Sequence, residues 1–276
     1  MKILPVLFLI LVFTSCYSPR YVYSPAAHNV PVLTAKKDSK LGINYSTNIA
    51  QRARNSEDNH ASTGAGIDVQ GAYAFSKHMA VQAAYYWRKE MNEGNFTFTA
   101  VDNSILRYRR NLTEAGLGYY TKMNDSGTSW FQLFGGMGVG DFRFTDKPIP
   151  GSANTNEFFY KTKLTKFYIQ PVVMVLYDKS ISLSFSSRFS FLKFHHVRTD
   201  YSSTELNNYK LDSITHRPVI FWEPAFVNSF EFKKLKGVKF EYQLGLSLLM
   251  SKSFVDARAF NFSAGAFVDI PKMLRK

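Results

Sequence analysis

The chain has 276 residues and a formal net charge of +13, with 45% hydrophobic and 16% aromatic residues. Beyond the N-terminus no apolar run approaches the roughly 18 residues that a transmembrane helix needs, which excludes a polytopic helical protein. Lys and Arg are scattered and form no nucleic-acid motif, so the charge points toward anionic lipid headgroups instead.

Residues 1–15 have the parts of a signal peptide: Lys2 as the charged region, an apolar stretch over 3–13, and small Thr14 and Ser15 before Cys16. Cys16 is the sole cysteine, so no intramolecular disulfide forms. The run from Leu11 to Cys16 resembles a bacterial lipobox, which implies a diacylated Cys16; an ordinary signal peptide with an incidental cysteine is the alternative. Pro19, Pro25 and Pro31 then give residues 16–38 the composition of an extended tether, with a plug in the mouth of the following domain as the other option.

From residue 41 the apolar period is two. The clearest case is 240–248, where Phe240, Tyr242, Leu244, Leu246 and Leu248 alternate with Glu241, Gln243, Gly245 and Ser247. Residues 181–191 repeat the pattern, with Arg188 on the small polar face, and weaker versions occupy 41–45, 67–75, 81–87, 113–119, 131–139, 167–177, 220–230 and 260–270. Long polar gaps at 51–62, 89–103, 145–156 and 199–215, with a shorter one at 251–256, alternate with short gaps at 76–78, 123–128, 178–180 and 233–238. Ten strands of this length with such segregated connections predict an all-β, closed antiparallel transmembrane barrel over 39–271, with long loops outside, short periplasmic turns and both chain ends periplasmic. A basic tail, 272–276, follows; Lys272, Arg275 and Lys276, with Lys233, Lys234, Lys236 and Lys239, form basic patches on the periplasmic side.

Asp68, Gln70, Gln82, Arg88, Glu114, Gln132, Gln170, Arg188, Glu223, Glu241 and Gln243 stand on the polar faces, a set too hydrophilic for a dry β-sandwich and therefore expected to face a barrel lumen. Ten strands leave a narrow interior that side chains largely fill. Arg188 is expected to meet Glu114, Glu223 or Glu241 there, in a network with Asp68 that fixes strand register. Tyr119, Tyr120, Trp130, Phe131, Tyr177, Phe230 and Phe232 near the short turns, and Tyr86, Trp87, Phe142 and Phe144 near the long loops, suggest two aromatic girdles. Gly135, Gly136, Gly138 and Gly140 lack the Gly-Lys-Ser/Thr ending of a phosphate loop and mark close contacts in the wall. Pro171 and Pro224 are expected at bulges or bends.

His195 and His196, with Asp200, Asp141 and Asp146 nearby in the pattern, are the candidates for chemistry at the rim, although alternation lets only one of the two histidines face the lumen. His28, His60, His78 and His216 are isolated, so neither a metal nor a cofactor is implied. The signal peptide, the lipobox-like run and the strand series together resemble the uncharacterised outer-membrane β-barrel (lipo)proteins of Bacteroidota-type bacteria. Such barrels usually finish on an aromatic residue; here Phe260, Phe262 and Phe267 precede a trailing 271–276. The expected role is non-enzymatic, structural or surface-interacting, in the cell outer membrane. Its expected partners are outer-membrane lipids, lipopolysaccharide and the barrel-assembly machinery, with no nucleic acid. A rim-active protease or lipid A-modifying enzyme and a narrow transport pore are the alternatives.

Overall fold

The computed structural model describes residues 20–48, 62–94, 104–149, 155–178, 180–232, 234–235, 237–251 and 255–274. The expected signal peptide, Cys16, Lys233, Lys236, Arg275 and Lys276 lie outside the described residues. The strands are β1 (Ser39–Thr47), β2 (Ser62–Ala74), β3 (Met79–Gly94), β4 (Ser104–Lys122), β5 (Ser129–Pro148), β6 (Phe158–Leu176), β7 (Ile181–Thr199), β8 (Val219–Glu231), β9 (Val238–Leu246), β10 (Leu248–Leu249) and β11 (Phe260–Val268).

These make one 11-stranded sheet in which sequence neighbours pair antiparallel. β1 pairs with β2 on one side and β11 on the other, and β9 bridges β8 and β11, so the sheet closes on itself. β9 and β10 keep a single register against β8, with Gly245 opposite Ala225 and Leu248 opposite Trp222. They are one stave interrupted at Ser247, which makes ten staves from 11 strands. Among the described residues the closed ring leaves no sheet edge for lipid to meet.

Which side chains face outward identifies the solvent. Phe167 is 54% exposed and Ile43 58%, whereas Lys166 and Gln170 are fully buried. Exposed apolar and buried charged side chains invert the pattern of a water-soluble domain and fit a lipid environment around a closed cylinder. The chain is a transmembrane β-barrel.

The strands outrun the membrane. β4 through β7 have 19 or 20 residues, about twice what a crossing needs. The start of each expected loop is therefore strand, to Gly94 in 89–103 and to Pro148 in 145–156, and a capped helix, Ser203–Asn208, interrupts the 199–215 connection. The reason is an interior apolar cluster at the long-loop end, formed by Tyr108, Phe142, Phe144, Tyr160, Leu192 and Phe194, which rewards continued pairing above the bilayer. That cluster also corrects the expected girdles: Tyr86, Phe142 and Phe144, with Tyr120 at the opposite end, point inward, while Trp87 and Tyr119 point outward.

Neither Pro171 nor Pro224 shifts the register. Pro224 stays opposite Ser187, and Pro171 stays opposite Leu133 while simply lacking a paired partner on β7. Skipping one ladder bond satisfies a missing N–H without a bulge. A bulge does occur in β7, where His196 and Val197 together stand opposite Thr162 of β6.

Residues 20–33, expected as a tether, run through the barrel interior. Arg20 lies beside Asp146 near the long-loop end of β5, and Leu33 lies against Ala74 and Ala80 at the short-turn end. Three donors, Thr34 N, Thr34 Oγ1 and Ala35 N, converge on Asp38 Oδ2, and Lys37 adopts φ 77° to reverse the chain into β1. β1 thus begins at the short-turn end as expected, but the chain before it returns to the opposite end. The C-terminal helix Ile270–Leu274, which takes in Lys272, follows β11 at the short-turn end.

Two glycines make room inside the wall. A Cβ on Gly116 or Gly136 would stand 2.4 or 2.5 Å from Tyr168 Oη, so the ring occupies space that side chains would otherwise claim. Gly136→Val should destabilise the folded barrel by about 1–3 kcal/mol through overpacking. Gly135→Ala, whose Cβ would meet only Tyr168 O at 3.9 Å, should leave it nearly unchanged. Urea midpoints followed by heat-modifiable gel migration check this, and equal midpoints for the two variants would refute it.

Candidate functional site

The inward faces of the strands and the segment they enclose form a single polar assembly. All of Asp68, Gln70, Gln82, Arg88, Glu114, Gln132, Gln170, Arg188, Glu223, Glu241 and Gln243 are buried. Backbone groups of a buried, unpaired segment need partners, and glutamines supply them. Gln70 donates to Ala27 O at 3.3 Å, Gln243 to His28 O at 3.1 Å, Gln170 to Asn29 O at 3.0 Å and Gln132 to Pro31 O at 2.9 Å. Gln243 also accepts from His28 N at 2.6 Å, giving a two-way amide pairing such as a strand would give. Pro25 and Pro31 reduce the number of N–H groups that require an acceptor.

The ionic groups fall into separate clusters. At the centre, Arg188 Nη1 is 3.4 Å from Glu114 Oε2, and Arg188 Nε donates to Gln170 Oε1 at 2.8 Å. Lys166 Nζ lies 2.9 Å from Glu114 and 3.7 Å from Glu223, so two acids face two bases. Glu223, directly opposite Arg188 in register, accepts hydrogen bonds from Ser190 Oγ and from Tyr23 Oη, the latter at 2.8 Å. Tyr23 brings the threaded segment into this cluster. The His28 imidazole meets Ser186 Oγ through its Nδ1 at 2.8 Å.

Two of the expected network members belong elsewhere. Glu241 pairs with Lys40 at 3.1 Å and accepts from Ser229, remote from Arg188. Asp68 is ion-paired to Arg88 and accepts from Ser46 at 2.7 Å. Alternation assigns a face to each of these residues but not its height on the cylinder, and height decides which charges meet. Two further clusters lie toward the long loops: Glu90 between Arg110 at 2.6 Å and Arg258 at 2.9 Å, and Asp146 between Arg20 and Tyr201 Oη, each at 2.6 Å. Lys166, Lys40, Glu90, Arg110 and Arg258 were missed. The even-number parity of Lys166 on β6, shared with Gln170, is the signal that points to it.

The expected rim chemistry does not assemble. His196, within the bulge of β7, has φ 55°, and both histidines turn outward, with His195 Nδ1 2.6 Å from His196 Nδ1 and His195 Nε2 3.2 Å from Thr165 Oγ1. Asp146 is inside, bound to Arg20, and Asp200 accepts from Phe159 N. Among the described residues no group of three His, Cys, Asp or Glu side chains could hold a metal ion.

With the ring closed and its outer face apolar, the architecture is that of bacterial outer-membrane proteins. This is an outer-membrane β-barrel. No family model matches the chain, and no curated protein matches it. Among solved structures it is similar to the translocator domain of autotransporter NalP from Neisseria meningitidis, at 12% identity and TM-score 0.45, covering 86% of this chain and 90% of that one. It is also similar to an outer membrane channel from Pseudomonas putida F1, at 6% identity and TM-score 0.42, covering 88% and 99%. The transport unit of the autotransporter AIDA-I from Escherichia coli follows at 9% identity and TM-score 0.35, covering 85% and 89%. The assignment of the barrel rests on strand pairing and the apolar belt rather than on these likenesses.

Lys166→Met removes the base shared by Glu114 and Glu223 and should cost about 3–5 kcal/mol of stability, because a buried carboxylate loses its partner. Adding Glu114→Gln should recover part of that loss. Denaturant unfolding of the three proteins in one detergent tests this, and a double variant less stable than Lys166→Met alone would count against the pairing.

Proposed function

We propose that this chain is a non-enzymatic, non-conducting outer-membrane barrel with a structural or surface-interaction role, its lumen occupied by its own N-terminal segment. The observation that carries this reading is the set of four glutamines, from β2, β5, β6 and β9, that bind the backbone carbonyls of Ala27, His28, Asn29 and Pro31. A segment bonded from several sides of a ring leaves no continuous aqueous path, and the apolar clusters at both ends bar ions further. Planar-bilayer recording on the intact protein should give a closed trace; stepwise conductance would overturn the reading in favour of a narrow pore.

The direction of threading supports a second element of the proposal. Arg20, where the described chain begins, lies beside Asp146 at the long-loop end of the barrel and so on the outward side of the membrane. An epitope inserted between residues 18 and 19 should be labelled by antibody on intact cells; labelling only after the outer membrane is permeabilised would reject this orientation.

A further inference from the structure

A row of cations crosses the outside of the barrel. Lys89 is directly opposite Arg109, Arg109 opposite Arg143, Arg143 opposite Lys161, and Lys161 opposite Arg198, so one register line joins β3 through β7. All five side chains are exposed, and Arg107, Lys163 and Lys193 share the face. Among the described residues none of the five in the row forms an ion pair. The acids nearby are Asp141, opposite Lys163, Asp200, which is engaged with Phe159 N, and Glu90, which borders the groove but is paired inward with Arg110 and Arg258. Like charges directly across strands are destabilising, so a folded sheet has no internal reason to line up five of them. An external anion removes the penalty.

The surroundings specify the anion. Lys89, Arg107, Arg109 and Arg143 line a groove of about 1200 Å³ together with Tyr45 and Trp87. Trp87 is two positions from Lys89 on β3, at the margin of the apolar belt, whereas Lys161 on β6 is six positions above the exposed Phe167. With strands tilted by about 35–45°, the row starts at the hydrocarbon edge and climbs away from it. A glycerophospholipid offers one phosphate; a phosphorylated glycolipid offers two or more spaced along one sugar headgroup, as a row of cations requires, above acyl chains that would lie against Tyr45 and Trp87.

We propose that the outer face of β3–β7 is a docking surface for a phosphorylated glycolipid of the leaflet on the long-loop side. The site is on the outer wall and is independent of whether the lumen conducts. Native mass spectrometry of the detergent-purified full chain tests it with bisphosphorylated lipid A, the same lipid dephosphorylated, and phosphatidylglycerol as probes. The unmodified protein should retain lipid A over both other probes. The variant Arg109→Ser/Arg143→Ser/Lys161→Ser should bind lipid A at least about tenfold more weakly. Lys77→Ser/Lys122→Ser, with exposed cations at the short-turn end removed, should bind as the unmodified protein does. Heat-modifiable migration verifies folding of each variant. If the triple variant misfolds, Arg109→Ser alone replaces it, and the dephosphorylated probe still decides on unmodified protein. Retention of dephosphorylated lipid A or of phosphatidylglycerol equal to that of lipid A would overturn the proposal. So would undiminished lipid A binding by the folded triple variant.

Discussion

A charge enclosed by the barrel has to meet an opposite charge across an interior only a few side chains wide, and much of the architecture answers that need. Leaving one buried ion unpaired would cost several kcal/mol, comparable to the whole margin of stability of a domain. Glu114, Lys166, Arg188 and Glu223 satisfy the condition by drawing on four different strands, so their pairing holds together parts of the ring that share no ladder hydrogen bond. Lys40 with Glu241 does the same at another height, joining β1 to β9, while Arg88 and Asp68 add an ion pair between the neighbouring strands β3 and β2. Backbone pairing closes the sheet, and these contacts across the interior resist its flattening.

The threaded segment is part of this arrangement. Tyr23 donates to Glu223 and accepts from Lys166 at 3.2 Å, and Val30 O accepts from Lys40 at 3.2 Å, so removing the segment would expose charges as well as vacate volume. It contains one isolated bridge, Tyr23 to Ala257, and otherwise depends on side chains for its backbone hydrogen bonds. Glutamine suits that task because its amide carries the same donor and acceptor as a peptide group on a longer reach.

Outside, three zones follow one another along the axis. Aliphatic and aromatic side chains such as Ile169, Phe185 and Leu244 meet hydrocarbon, the cation row lies at and above their margin, and the extended upper strands enclose a packed apolar core of their own. The upper part behaves as a water-soluble β-structure with Tyr201, Leu211 and Ile214 folded over its mouth. The same ten staves therefore pass through two solvents, and their inner faces change composition accordingly, from charged and amide groups in the membrane to aromatic rings packed around the Glu90 and Asp146 ion pairs above it.

Alternation of side chains along each strand was legible in the sequence, because a period of two needs only neighbouring residues to express it. From it came the closed barrel, the direction each of Asp68, Glu114, Arg188, Glu223 and Glu241 faces, and the segregation of long and short connections. Three things were not legible. Which charges meet depends on register and height, quantities shared between strands far apart in the chain, so Lys166 and Lys40 emerged only in three dimensions. Residues 20–33 carry no periodicity that separates a solvated tether from a segment enclosed by glutamines, since their partners lie on β2, β5, β6 and β9. The cation row is written as five residues spread over 110 positions, from Lys89 to Arg198, and only pairing in register makes them neighbours. The sequence by itself thus determined which face each side chain takes, a local property of extended backbone. The tertiary structure decided what each one touches, because contact across a closed ring is set by the shear and stagger of strands that no single segment encodes.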